Sequence, residues 1–327
     1  MGFLKKLGVK KAKELSDLGF SSDPNFISKA INKDGSFNVK KIGLPKWQID
    51  EIYTELVLMS WSRFFLIVIS LFIGVNAFFG LLYIIVGIET LDGIRASTPM
   101  EYFFESFFFS SQTLTSVGYG RINPVGFLAN FIGMIESMIG VFTFAIITGL
   151  LYGRFSKAKS KIKYSENALI SPYKDGQGIM LRVVNMKKRE LVEVEAVMII
   201  SFNDTASETP KRHFYNAKLE RPKISFFPLT WTIVHPIDEE SPVYSLKAED
   251  YQELDLEVLV NIQGYDEISG QTVYSRYSYR YEEIIWYAKF TPAFEQGKDG
   301  SVVYINKIND YKMVPEESFK ELSGMRK

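Results

Sequence analysis

No cysteine occurs in the 327 residues, which excludes disulfides, thiol catalysis and cysteine-ligated metal sites together. Histidine is almost as scarce: His213 and His235 are the only two, too few for a metal cluster, and we predict a structural role for each. Basic and acidic residues both number 38, and a net charge of zero gives no general attraction to nucleic acid. Neither histidine has the setting of a serine triad, so we expect neither an enzyme nor a bound cofactor.

Charged side chains are missing from two long stretches. Phe64 to Ile88 is a run of 25 residues without one, which is long enough to cross a hydrocarbon core of about 30 Å. A second apolar stretch runs from about Phe127 to Phe155 and contains one acid, Glu136. We therefore predict a multi-pass protein of the cell membrane with two spanning helices.

The second stretch contains three residues whose roles stay open at this level. A charged group in a membrane helix normally faces protein or water, so Glu136 either braces a neighbouring element or lies near a permeation path, and we favour the brace. Gly140 and Gly149 are either bending points of the helix or places of close helix packing.

Between the two stretches lies a short apolar helix followed by a glycine loop. Thr98-Pro99 predicts a helix start, and the segment Met100 to Phe109 is too short to span, so it suits a re-entrant helix wrapped in protein. The loop Ser116-Val117-Gly118-Tyr119-Gly120 follows. Gly-Tyr-Gly also occurs in ordinary turns. In this position, however, two glycines permit the backbone angles that turn successive carbonyls toward one axis, where they can replace the water shell of a potassium ion.

The flanks of these stretches are amphipathic and basic. Apolar residues at helical spacing between Trp47 and Trp61 predict a helix on the membrane surface, although a helix packed on a protein domain explains the same pattern. Basic residues flank both spans and place both termini in the cytoplasm. Those after the second span are also candidates for binding anionic lipid, while orientation alone is the alternative. These residues are Arg154, Lys157, Lys159, Lys161 and Lys163.

From Gly178 onward the apolar pattern has a period of two. Leu191–Val197, Leu254–Val260 and Thr272–Tyr277 predict strands, with turn signals at Asp175-Gly176, Asn203-Asp204 and Ser269-Gly270. The fold class predicted is a membrane α-helical pore domain, with two transmembrane helices and a re-entrant pore helix, followed by a cytoplasmic all-β immunoglobulin-like sandwich. We place the boundaries at 1–46 for an N-terminal segment, 47–155 for the pore domain, 156–300 for the β domain and 301–327 for a tail.

This arrangement resembles the inward-rectifier potassium channel family, particularly its prokaryotic branch. The likeness extends from about Asn32 to Phe294 and has a second anchor in the β domain that does not depend on the glycine loop. That anchor comprises Arg182-Val183-Val184-Asn185, Leu191-Val192-Glu193, Leu229 to Asp238 and Ser241-Pro242-Val243-Tyr244.

The resemblance implies a homotetramer in which Ser116, Val117, Gly118, Tyr119 and Gly120 of each chain form a selectivity filter for permeant K⁺. It further implies gating at the crossing of the inner helices, with pore and gate positions at Phe144, Tyr152, Gly140 and Gly149. Filter support would come from Gln112 and Glu136. Anionic phospholipid would contact the basic linker, with a sign of regulation that differs within the family, and pore blockers would include Mg²⁺, polyamines and Ba²⁺.

Three positions depart from the pattern of relatives. Ser116 replaces the usual threonine and keeps its hydroxyl, so selectivity should survive. Phe144 stands where strongly rectifying relatives carry an acid, which predicts weak voltage-dependent block. Gln112 cannot form an ion pair with Arg121, which is left to meet Glu101 or Glu105 or to stay solvated.

Two other functions compete with this interpretation. A potassium-uptake transporter subunit uses the same unit of span, pore helix and span, but strings four along one chain. A membrane-anchored binding module would explain the β domain and leave the glycine loop without a purpose.

Overall fold

The computed structural model describes residues 15, 29–43, 49–158, 160–204, 211–244, 246–298 and 300–315. The chain divides into two compact units. One unit is Gly43–Lys157, and the other joins the residues before Gly43 to those from Ala158 onward. The described residues of the N-terminal segment up to Ile42 therefore belong to the β unit.

The first unit is helical. Two of its helices, Trp61–Val86 and Phe127–Ser156, are long and apolar enough to cross a membrane. This confirms the two apolar helices predicted from the missing charges. The helices are α1 Ile49–Leu58, α2 Trp61–Val86, α3 Pro99–Leu114 and α4 Phe127–Ser156, and strands β1 Leu91–Asp92 and β2 Asn123–Pro124 pair between them.

Helix α3 begins as predicted and ends later than predicted. The Thr98 hydroxyl accepts a hydrogen bond from the Glu101 amide, and Pro99 occupies the first turn. The predicted end at Phe109 is wrong because a buried face continues through Ser106, Ser110 and Leu114 at four-residue spacing. Polar residues on that face hid the continuation from an argument based on apolar residues alone.

Helix α1 corresponds to the predicted amphipathic helix, although residues 44–48 lie outside the described part. It ends before Ser60, whose hydroxyl caps α2 by accepting a hydrogen bond from the Arg63 amide at 3.4 Å. The Tyr53 hydroxyl lies close to Gly153, so part of α1 packs on the last turns of α4. The Tyr53 ring itself is half exposed, and both interpretations of this helix stay open.

The second unit is all-β, as predicted, and its two five-stranded sheets enclose the main core. The strands are β3 Ile162–Tyr164, β4 Ala168–Tyr173, β5 Gly176–Asn185, β6 Val192–Asp204, β7 Lys211–Ala217, β8 Lys223–Phe226, β9 Thr230–Ile237, β10 Glu257–Asp266, β11 Gln271–Arg280 and β12 Ile284–Trp286, and helix α5 is Ala248–Glu253. One sheet has the order β11-β10-β6-β7 with β8 paired to β6, and the other has the order β12-β4-β5-β3 with β9 paired to β5.

Two local predictions in this unit are wrong. Asn203-Asp204 is not a turn but the buried end of β6, paired with the start of β7. The strand predicted from Leu254 begins only at Glu257, because α5 ends at Glu253 and Asp255 adopts a positive φ of 45°. The turns at Asp175 and at Ser269-Gly270 lie where predicted.

The β unit also extends beyond the predicted boundary at residue 300. Strands β13 Ala288–Phe290, β14 Phe294–Gly297, β15 Gly300–Val303 and β16 Tyr311–Met313 follow β12, and β16 pairs with β13. Ile308 is fully buried, and the buried Arg182 guanidinium stacks on Phe290 at 4.5 Å. Burial lowers the pKa of Arg182 to about 10. The predicted tail is therefore part of the domain at least to Met313, and residues 316–327 lie outside the described part.

His235 is a structural residue of this unit. Its imidazole is buried in β9, with Nδ1 2.7 Å from the Lys218 carbonyl and Nε2 2.8 Å from the Ser241 hydroxyl. Burial lowers its pKa below the ordinary value. His213 lies in β7, where its ring stacks on Tyr215 at 6.4 Å. Both placements agree with the roles predicted for the two histidines.

Candidate functional site

The glycine loop begins at the C-terminal end of α3 and is tied to that helix through the main chain. The amides of Val117 and Gly118 both donate to the Gln112 carbonyl, at 2.9 and 3.3 Å. Gln112 was a predicted support residue, and the contacts seen here come from its carbonyl oxygen. The start of the loop is therefore fixed to the last turn of the helix.

Along the loop, residues with a positive, left-handed φ angle alternate with residues whose φ is not positive. Ser116, Gly118 and Gly120 have φ angles of 58°, 55° and 78°, and neither Val117 nor Tyr119 has a positive φ. A methyl group on either glycine would meet no atom within 4 Å, so glycine is needed at these positions for its backbone freedom and not for space.

Ser116 adopts the left-handed conformation without being glycine. No residue preference pointed to this. The usable signal was position, since Ser116 is the second residue after the end of a helix, where a left-handed residue commonly terminates the helical hydrogen bonds. Its amide donates to the Thr113 carbonyl at 3.1 Å, within the same last turn.

A fully buried polar cluster lies behind this helix, between α2, α3 and α4. The Tyr83 hydroxyl is 2.8 Å from Glu136 Oε2, the Ser110 hydroxyl contacts Glu136 Oε1, and Ser110 Oγ is 3.0 Å from Asn76 Oδ1. All four side chains have no exposed surface. Glu136 thus faces protein and contacts the pore helix, the arrangement expected of a brace. Asn76, Tyr83 and Ser110 were missed, although Asn76 and Tyr83 are seven residues apart on one face of an otherwise apolar helix.

Gly140 and Gly149 of α4, predicted to be either bending points or places of close helix packing, have different surroundings. A methyl group on Gly140 would lie 2.0 Å from the Leu114 carbonyl oxygen, whereas one on Gly149 would meet nothing within 4 Å. Gly140 is therefore a position of close packing against the end of α3. Phe144 lies one turn further along α4 and lines a groove with Ser116 and Gly140, and both Phe144 and Tyr152 are about three-quarters exposed on the single chain, at 75% and 74%.

Comparisons with known proteins match the chain over both units. Residues 31–158 match the inward rectifier potassium channel transmembrane domain, and residues 162–326 match the inward rectifier potassium channel C-terminal domain. The chain is 32% identical over 273 residues to the inward rectifier potassium channel Kirbac3.1 of Paramagnetospirillum magnetotacticum, which covers 83% of this chain and 90% of that protein. It is 27% identical over 322 residues to the ATP-sensitive inward rectifier potassium channel 12 of Gallus gallus, which covers 89% of this chain and 74% of that protein.

This chain belongs to the inward-rectifier potassium channel family, in its prokaryotic branch. It is therefore a potassium channel of a membrane and not an enzyme. The matched region is longer than the likeness described from sequence, since it continues beyond Phe294 into the C-terminal strands.

Arg121, directly after the glycine loop of this inward rectifier, forms the ion pair that sequence had left open. Its guanidinium lies 2.5 Å from Glu105 of α3 and 3.3 Å from the Gly93 carbonyl. Glu101 instead accepts from the Ser97 amide at 2.7 Å and belongs to the start of α3. The far end of the loop is thus connected to the same helix as its beginning.

Arg154 occupies a structural position that its place in the basic linker did not reveal. Its two terminal nitrogens donate to the carbonyls of Leu56 and Met59, the latter at 2.8 Å, and its guanidinium stacks over the rings of Trp61 and Phe64 at 4.5 and 4.6 Å. A cation at the C-terminal end of α1 satisfies carbonyls that the helix leaves free.

The basic linker residues after Arg154 differ from it in their exposure to solvent. Lys157 and Lys161 are exposed and Lys163 is half-buried in β3, while Lys159 lies outside the described residues. Lys157 ends the helical unit, and Lys161 and Lys163 belong to the β unit.

The contrast between the two α4 glycines gives a stability prediction. Gly140→Ala should lower stability by about 1–3 kcal/mol, because the new methyl group must displace the carbonyl end of α3. Gly149→Ala should not lower it, since alanine favours helix and the space is open. Thermal unfolding of the two purified variants in one detergent measures the difference, and equal midpoints would contradict the packing described for Gly140.

Proposed function

We propose that four copies of this chain surround one axis and conduct K⁺ passively through a filter formed by Ser116 to Gly120. The observation that carries the proposal is the alternation of left-handed residues at positions 116, 118 and 120. A regular strand points successive carbonyls to opposite sides, whereas alternation in backbone hand turns them to the same side. Carbonyl oxygens aligned in this way replace the water shell of the ion.

Two further features favour a cation at the inner end of the filter, namely the Ser116 hydroxyl and the C-terminal end of α3. The carbonyls of Ser116, Val117, Gly118 and Tyr119, with the Ser116 hydroxyl, are the proposed K⁺ ligands. Helix α3 directs its C-terminal end to the same place, and the negative end of a helix dipole favours positive charge. One chain supplies a quarter of each ring of ligands, so the filter requires the tetramer.

The surface of the single chain supports assembly. Val117 and Tyr119 are 53% and 79% exposed, and Phe144 and Tyr152 expose most of their rings. Apolar and aromatic surface on this scale needs either lipid or protein to cover it. Since the loop residues lie between the spans and not on an outer helix face, neighbouring copies of the chain are the cover we propose for them.

Gating is assigned to the cytoplasmic half of α4. Tyr152 is the proposed constriction where the four helices converge, Gly149 is an unhindered position one turn before it, and Phe144 faces the cavity below the filter. Both termini are proposed to be cytoplasmic. Anionic phospholipid is proposed to modulate the gate through Lys157, Lys159, Lys161 and Lys163, while Arg154 is mainly engaged with α1.

Ion uptake into liposomes tests the proposed conduction. Purified protein reconstituted with and without anionic lipid should admit rubidium and potassium and exclude sodium, and Gly118→Ala should abolish the discrimination because alanine rarely adopts a positive φ. The matched control is Gly43→Ala, also a positive-φ glycine with open space around it but outside the filter. A folded tetramer without uptake in any lipid would favour the anchored module, and conduction by one copy of the chain would favour a transporter-like unit.

Block of the pore tests the assignment of Phe144. Wild-type channels should show weak voltage-dependent block by Mg²⁺ and spermine, because an aromatic ring offers no fixed negative charge. Phe144→Asp should increase spermine block by at least tenfold, which corresponds to about 1.4 kcal/mol. Planar-bilayer recordings at several voltages measure this, and strong spermine block of the wild type would contradict the assignment.

The lipid proposal separates the lysines from Arg154. Replacing Lys157, Lys161 and Lys163 by Gln should flatten the dependence of uptake on anionic lipid, since each basic residue near such a surface contributes about 1 kcal/mol. Arg154→Gln should instead lower the thermal midpoint in neutral detergent through loss of its bonds to α1. If the lysine variant keeps the wild-type lipid response, these lysines are orientation signals only.

A further inference from the structure

In the buried cluster behind the pore helix, the number of hydrogens available for hydrogen bonds limits the protonation states that its side chains can adopt. Three contacts join its four side chains in a row: Tyr83 to Glu136, Glu136 to Ser110, and Ser110 to Asn76. Each contact needs one hydrogen between its two heavy atoms. The Tyr83 and Ser110 hydroxyls supply one hydrogen each.

The Asn76 amide cannot supply the third hydrogen. Asn76 Nδ2 donates to the Phe72 carbonyl at 2.7 Å, and a carbonyl oxygen only accepts. This fixes the orientation of the amide, so Oδ1 is the atom that faces Ser110 at 3.0 Å. Ser110 must therefore donate to Asn76 if this contact is a hydrogen bond. Its single hydrogen is then not available for Glu136.

We propose that Glu136 is an un-ionised carboxylic acid that donates to Ser110, and that the row from Tyr83 to Asn76 positions the pore helix. The inference rests on the proposed filter, because positioning matters to conduction only if the loop after α3 is that filter. With the third hydrogen on Glu136 Oε1, every contact is satisfied: Tyr83 donates to Oε2, Glu136 to Ser110, Ser110 to Asn76, and Asn76 to the main chain. An ionised Glu136 would leave Asn76 Oδ1 facing an oxygen with no hydrogen between them.

The surroundings of Glu136 favour the same state. Among the described residues, its carboxyl group contacts the Tyr83 hydroxyl from α2 and the Ser110 hydroxyl from α3, and no lysine, arginine or histidine forms an ion pair with it. A buried carboxylate without a cation is strongly disfavoured at membrane depth. A neutral acid avoids that cost and still braces two helices.

The row of hydrogen-bonded side chains from Tyr83 to Asn76 is connected to the filter through the last turn of α3. Ser110 lies four residues before Leu114 and two before Gln112, whose carbonyl accepts the amides of Val117 and Gly118. A shift of Ser110 therefore moves the acceptor on which the loop depends. Asn76, Tyr83, Ser110 and Glu136 are positioning residues, since none of them is a proposed ligand of the ion.

Infrared difference spectroscopy of the full-length protein in lipid tests the charge state directly. The wild-type spectrum minus that of Glu136→Gln should contain the carbonyl stretch of an un-ionised acid and no carboxylate bands. Glu105→Gln is the matched control, because Glu105 lies in an ion pair with Arg121 and should lose carboxylate bands instead. Loss of carboxylate bands in Glu136→Gln would overturn the proposal.

A second variant keeps the test decisive if Glu136→Gln does not fold. In Tyr83→Phe the acid keeps its hydrogen but loses a donor to its carbonyl oxygen, so the acid band should move to higher frequency. An unchanged spectrum in the acid region would overturn the assignment.

The positioning role has its own measurement. Ser110→Ala breaks two of the three contacts and should lower the rubidium-to-sodium uptake ratio by roughly threefold or more, given the cost of unsatisfied buried groups. Ser111→Ala, on the same turn but outside the row, is its control. An unchanged ratio in Ser110→Ala would overturn the positioning role. Failure of the wild type to discriminate would instead refute the filter and leave the infrared result standing.

Discussion

The structure depends on one requirement: an irregular stretch of backbone at membrane depth must find its hydrogen bonds within the protein. The loop after α3 meets it through the Gln112 carbonyl, which accepts two amides, and through Arg121, which returns to Glu105 on the same helix. Both ends of the loop are therefore held by contacts with α3. The position of that helix then decides the position of every carbonyl in the loop.

Glycines on α2 and α4 allow α3 to approach both spans closely. They serve a different purpose from the glycines of the loop. A methyl group on Gly80 of α2 would lie 3.1 Å from the Phe107 amide nitrogen, and one on Gly140 of α4 would lie 2.0 Å from the Leu114 carbonyl oxygen. These positions provide space. Gly118 and Gly120 provide backbone freedom instead. The same residue type thus serves packing on the two spanning helices and conformation in the segment between them.

The sequence alone predicted the structure correctly in segments where one physical requirement decides the conformation, such as the uncharged spans and the capped start of α3. It failed where the decisive partner is distant in the chain. The extension of α3 past Phe109 depends on Ser110 meeting Glu136, and the true position of Arg154 depends on carbonyls almost a hundred residues earlier. The left-handed Ser116 was hidden because serine carries no preference for that conformation. Short terminal strands such as Tyr311–Met313 carry too few residues to show alternation.

Arg154 also constrains how the end of α4 can move. It lies two residues after Tyr152 and holds the carbonyls of Leu56 and Met59 while it stacks on Trp61 and Phe64. Separating these groups would cost two hydrogen bonds to a charged donor, each about 1.5–3 kcal/mol, in addition to the ring contacts. Moving α1 and the first turn of α2 together with the end of α4 breaks none of them. A displacement of Tyr152 that carries α1 along is therefore the path of lower free energy, and the corner between α1 and α2 becomes part of the moving body.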